Sequence, residues 1–133
     1  MITLAASKGY LLDQALSILS QLGVEFEENP KESRKLFFVD KTKTWKLLVV
    51  RPWDVPEYVE EGAADIGITG YDVIREKQSQ VLRLSSLDFG GCKLVLAGPK
   101  AMTEKPLSHN LTVATKYPHS TTEYFQKKGL HVK

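Results

Sequence analysis

Short apolar runs alternate with helical patterns along most of this chain, and no other feature restricts its fold more. Ile2 to Ala6 is a continuous apolar run that suits a strand buried on both faces. Leu11, Leu12, Ala15, Leu16, Leu19 and Leu22 then recur at the spacing of one helical stripe, with Gly23 as the natural stop. Leu36–Val39 and Trp45–Val50 read as two strands joined by a turn over Lys41–Thr44. Asp54 and Glu57 have capping-box spacing, with Asp54 expected to accept from first-turn amides. Pro56 is tolerated in that first turn, and the short helix should run to Glu61 and stop at Gly62. Asp65–Thr69 is the next strand, Gly70 turns out of it, Tyr71–Lys77 is a short helix, and Val81–Leu84 is another strand. After the change of direction at Gly90-Gly91, Lys93–Ala97 reads as a strand and Gly98–Asn110 as a loop. Leu111–Ala114 is again a strand, Pro118 opens a helix that ends at Gly129, and Leu130–Lys133 begins a further strand.

Strands alternating with helices predict an α/β chain built on an open, mostly parallel sheet. Ligands on such sheets bind at the carboxyl ends of the strands. Three loops belong there: Ser7-Lys8-Gly9, Arg51-Pro52-Trp53-Asp54 and Thr69-Gly70-Tyr71-Asp72.

Composition removes several function classes. The 133 residues carry 18 basic and 16 acidic side chains, a formal charge of +2, which gives no concentrated basic character for nucleic acid. The lysines Lys41, Lys43 and Lys46 suit a solvated hairpin. No apolar segment approaches the ~20 residues that cross a bilayer, and the N-terminus has no signal-peptide pattern. Cys92 is the single cysteine, so no intramolecular disulfide forms; a reducing, cytoplasmic location and a packed thiol are expected. His109, His119 and His131 match no short metal motif.

Within the three loops, each residue has a chemical and a structural reading. Gly9 lets backbone amides approach an anion at a helix N-terminus, and Lys8 adds charge; the alternative is a tight turn with an exposed lysine. Arg51 ends a strongly apolar strand, where a guanidinium grips phosphate or carboxylate, or else pairs with Asp54 at the surface. Thr69-Gly70 offers a hydroxyl and an amide, while Gly67 inside the strand marks a close backbone approach or tight packing. Arg34, just before a strand, is a second candidate arginine or a solvated one.

Taken in order, several stretches resemble the ATP phosphoribosyltransferase family in its short form. They are Ser7-Lys8-Gly9 with Leu11-Leu12, Glu32-Ser33-Arg34-Lys35-Leu36, and Leu48 to Pro56 through Arg51-Pro52-Trp53-Asp54. Gly62 to Val73, Phe89 to Val95 and Val113 to Pro118 follow. No single stretch is decisive; the ordered set covers nearly the whole chain.

The resemblance implies a bilobal fold like the type II periplasmic binding proteins, with mostly parallel sheets. Its first lobe, residues 1–88, would be the nucleotide side, and 89–133 the start of a second lobe. It implies transfer of phosphoribosyl from phosphoribosyl pyrophosphate to N1 of ATP at the start of histidine biosynthesis, with Mg2+ carried on the substrate phosphates. It implies a homo-oligomer and a histidyl-tRNA-synthetase-like regulatory subunit. Lys8, Gly9, Arg34, Arg51, Thr69 and Gly70 are the positions carried over as substrate-binding; no catalytic side chain is assigned. Two departures stand out. Tyr10 occupies a position where the family usually has arginine. Nothing between Gly90 and Lys133 matches the family's Gly-rich, Thr-Gly-x-Thr phosphate loop, so the second lobe is expected to be incomplete and these residues alone are expected not to catalyse the transfer. A non-catalytic nucleotide- or anion-binding module, or an interaction subunit, is the competing expectation.

Overall fold

The computed structural model describes residues 1–102 and 106–133, which form two compact units, Met1–Gly90 and Gly91–Lys133. The first contains strands β1 (Ile2–Ser7), β2 (Phe37–Val39), β3 (Trp45–Val50) and β4 (Ile66–Ile68), and helices α1 (Tyr10–Gln21), α2 (Val55–Glu60) and α3 (Tyr71–Lys77). The strands make one sheet in the order β2-β3-β1-β4. β1 lies parallel to both β3 and β4, and β2 adds an antiparallel edge to β3. The α/β class with a mostly parallel sheet is therefore the observed one.

β1 is central because both its faces are covered. Leu4 and Ala6 join Leu47, Val49 and Phe38 on one face, against Leu12, Ala15 and Leu19 of α1. Ala5 points to the opposite face, against Val55 of α2 and Ala64. The alternation follows from the two-residue period of a strand. Gly67 in β4 is there for packing: a Cβ at this position would stand 2.8 Å from Val55 Cγ1 and 3.1 Å from Val59 Cγ2.

The β2–β3 turn has no glycine and is organised by Asp40. Its buried carboxylate accepts from the amides of Thr42 (3.1 Å), Thr44 (2.8 Å) and Trp45 (2.7 Å), and from the Thr42 hydroxyl. Burial pushes this acid up; the Thr42 hydroxyl and the backbone donors outweigh burial and hold the carboxyl below its ordinary value. With the backbone pinned in this way, Lys43 occupies a left-handed conformation at φ 57°. Lys41 is tied to Glu25 at 2.8 Å and is not a purely solvated charge.

The expected capping box at α2 is not formed. Asp54 has helical dihedrals and makes no side-chain cap hydrogen bond. The Glu57 carboxylate, which would complete the box, is instead engaged by Lys77 Nζ at 2.6 Å.

The second unit contains α4 (Pro118–Gln126), a single 3-10 turn at Lys100–Met102, and a parallel bridge between Leu111 and Val132. Phe125 is its buried anchor. The strands expected over Leu111–Ala114 and Leu130–Lys133 shrink to that bridge and its flanking hydrogen bonds. Those expected at Val81–Leu84 and Lys93–Ala97 are not formed among the described residues. A ladder needs a facing strand, and here Leu82 and Val95 stay 83% and 80% exposed. Cys92 is exposed rather than packed, for the same reason. Part of the loop expected over Gly98–Asn110, residues 103–105, lies outside the described residues.

Candidate functional site

The sheet order makes β1 a switch point. From β1 the chain enters α1 on one face; from its parallel neighbour β3 it enters α2 on the other. Helices leaving adjacent strands on opposite faces open a crevice at the strands' carboxyl ends, the usual ligand position on such sheets. Ser7 of β1 is in register with Val50 of β3, so Lys8-Gly9 and Arg51 leave the sheet side by side. Ala6 is in register with Ile68, which places Thr69-Gly70 on the other flank of the same loop.

Arg34 joins them by a different route. β2 runs antiparallel to β3, and the Val49 amide donates to the Leu36 carbonyl at 2.7 Å, extending the pairing toward the chain's entry into β2. Arg34 therefore lies at the same edge as Arg51. All six sequence-derived positions fall along one edge of four strands, a span of roughly 14 Å at ~4.8 Å per strand.

Gly9 is held at φ 91°, ψ −148°, a region open to glycine and costly for other residues. Its carbonyl accepts the Asp13 amide at 3.1 Å and so starts α1, which has no side-chain cap. The first-turn amides of such a helix have no intrahelical acceptors and favour an anion. Lys8, Arg34 and Arg51 are exposed, and among the described residues none of these side chains makes an ion pair or hydrogen bond. The expected alternative of an Arg51–Asp54 ion pair is not formed; the two residues meet through the backbone, Asp54 donating to the Arg51 carbonyl at 3.0 Å. Thr69 turns its hydroxyl to the Pro52 carbonyl at 3.3 Å, linking two of the loops.

One contributor was not legible in the sequence. Lys77, in the last turn of α3, donates from Nζ to the Trp53 carbonyl at 3.1 Å and to Glu57 at 2.6 Å. With Thr69 it fastens residues 51–54 from two directions. Glu57 and Lys77 are 20 positions apart and meet only through the crossover via β4, so no local spacing signals the pair. An open concavity of about 430 Å³, lined by residues from Leu16 to Lys31, includes none of these loops.

The comparisons with known proteins bear on this arrangement. The family model described as ATP phosphoribosyltransferase matches residues 51–133, more than half of the chain. The chain belongs to the ATP phosphoribosyltransferase family. It is similar to the curated ATP phosphoribosyltransferases of Picosynechococcus sp. and Synechocystis sp., 42% identical to each over 99% of this chain and 65% of theirs. The enzyme of Caldicellulosiruptor bescii is 41% identical over 100% of this chain and 65% of its own length. The chain thus spans about 65% of the length of these relatives. Among solved structures it resembles a chain of the ATP phosphoribosyl transferase (HisG:HisZ) complex from Thermotoga maritima, with a TM-score of 0.81 and 34% identity over 100% of this chain and 62% of that one.

Proposed function

We propose that the unit Met1–Gly90 binds the adenine nucleotide in an ATP phosphoribosyl transfer, in which N1 of the adenine attacks the ribosyl anomeric carbon and pyrophosphate leaves. The observation that carries this reading is the convergence of Lys8, Arg34 and Arg51, exposed and without side-chain partners among the described residues, on the carboxyl edge of parallel strands beside the uncapped start of α1. Family membership supplies the reaction. The chain's own groups supply orientation and charge neutralisation. Gly9 brings the α1 amides to a phosphate, the two arginines bind anionic oxygens, and Thr69 with Lys77 fixes the loop that carries Arg51. Holding reactants in one geometry can account for ~7–11 kcal/mol of a barrier.

Magnesium, expected with the family, belongs on the substrate phosphates in this proposal. Among the described residues no three His, Cys, Asp or Glu side chains converge as a ligand set. Assembly as an oligomer with a histidyl-tRNA-synthetase-like regulatory subunit extends the proposal, supported by the HisG:HisZ complex that the chain resembles. A cytoplasmic location fits; no helix among the described residues is long and apolar enough to cross a membrane.

Titration calorimetry with AMP and ATP tests the binding claim. Saturable heat is expected, and Arg51→Ala should weaken binding by about 1.5–3 kcal/mol, the range of a hydrogen bond to a charged group. No heat from the wild-type chain at millimolar nucleotide would remove the claim; unchanged affinity in the variant would return Arg51 to a solvated surface role.

A further inference from the structure

Tyr10 is the first residue of α1 and follows Lys8-Gly9 directly, so it stands at the carboxyl edge of the sheet. It is 56% exposed. Tyrosine joins an apolar ring to a polar tip, so an exposed one at this edge offers a ligand a flat apolar face.

The ring is nevertheless braced. Phe89 meets it edge to face, with centroids 6.3 Å apart and planes at 79°. Gly90, at φ 71°, lies under the same turn: a Cβ there would stand 3.2 Å from Leu11 Cδ2 and 3.9 Å from Tyr10 Cε1. The segment Phe89-Gly90 thus packs beside the ring while the residue as a whole stays more than half exposed. Tyr71, a second exposed aromatic at this edge, starts α3 and is 58% exposed, but the Arg83 guanidinium stacks over its ring at 4.9 Å; Lys46 Nζ lies 5.1 Å over exposed Phe37 in the same way. A packed ring with no cation stacked on it among the described residues is what distinguishes Tyr10.

We propose that Tyr10 is the base-stacking residue of the nucleotide site, carrying the purine on its open face while the phosphate lies on Lys8 and the first-turn amides of α1. This rests on the nucleotide reading above and adds where the base goes. Aromatic rings stack on any base, because every base has a π-face. Tyr10 therefore favours a nucleotide over a bare sugar phosphate and discriminates little between adenine and guanine. Phe89 is a positioning residue that acts through Tyr10.

Calorimetry with AMP, GMP and ribose 5-phosphate on the 133-residue chain and its variants tests this. Tyr10→Ala should weaken AMP and GMP by about 5- to 150-fold, the range for losing one base–aromatic stack. Ribose 5-phosphate affinity should stay the same, and Tyr10→Phe should keep the wild-type affinity for all three ligands. Circular dichroism melts of each variant verify that the fold survives. AMP affinity unchanged in Tyr10→Ala would overturn the proposal while leaving the nucleotide reading intact. An equal loss for AMP and ribose 5-phosphate would overturn it too, since the ring would then be shaping the phosphate loop. A wild-type chain that binds ribose 5-phosphate but not AMP any tighter would refute the stacking role. A chain that binds none of the three would refute the nucleotide reading, and this proposal with it.

Discussion

Replacing Gly9 with alanine tests backbone strain without changing any side-chain contact. A Cβ at this position meets nothing within 4 Å, so no contact is made or broken. What changes is the conformation: φ 91° with ψ −148° lies in a region essentially restricted to glycine. Holding alanine there costs of order 1–3 kcal/mol. With urea m-values of about 1–3 kcal/mol/M, the midpoint of unfolding should fall by roughly 1 M with the slope unchanged. Trp45, at the start of β3, and Trp53, in the loop after it, give the fluorescence signal. The chain can escape the strain only by rotating the peptide that opens α1, so nucleotide affinity should fall together with stability. Gly91→Ala is the control: its Cβ also meets nothing and its φ is not positive, so it should be as stable as the wild type or up to about 1 kcal/mol more stable, through the lower entropy of the unfolded chain. A Gly9→Ala chain as stable as the wild type, with unaltered nucleotide binding, would refute the conformational argument.

Two more outcomes follow from single contacts. Asp40→Asn should destabilise the chain at neutral pH, and the loss should disappear in acid. The carboxyl's folded value lies below its ordinary 3.8, so its contribution is present above that pH and is lost as pH falls through the lower folded value. Urea midpoints from pH 7 to pH 2 should therefore converge for the two proteins; parallel curves would contradict the turn's electrostatics. Lys77→Met should cost about 1 kcal/mol of stability or less, since its partner Glu57 is well exposed. Its larger effect should be weaker nucleotide binding, because the loop carrying Arg51 loses one of its two fastenings. Calorimetry that finds wild-type affinity in this variant would show that Thr69 holds the loop alone.

The first unit was largely legible because its signals are local. The Leu11–Leu22 stripe gave α1, the apolar runs gave β1 and β3, and Tyr71–Lys77 is α3 as expected. Five of the six candidate positions, all but Arg34, are legible as strand-end loops; that all six share one edge depends on register, which no single segment carries. Arg34 reached that edge only through the antiparallel direction of β2. Asp54 misled because capping-box spacing says nothing about a competing cation, and Lys77, far along the chain, took Glu57. Val81–Leu84 and Lys93–Ala97 misled because apolar runs record the capacity to be a strand, whereas a strand exists only beside another. Tyr10 and Phe89 are 79 positions apart, and neither has a neighbour in sequence that announces the pair.

Amide hydrogen exchange with and without saturating AMP tests the central claim most directly, because it reports where the ligand sits without altering the chain. The account predicts new protection at Ser7–Leu12, Arg51–Asp54 and Thr69–Asp72, with a smaller effect at Ser33–Leu36, and none along the concavity between Leu16 and Lys31. Protection confined to that concavity, or to the unit Gly91–Lys133, would contradict the placement of the nucleotide at the carboxyl edge of the sheet.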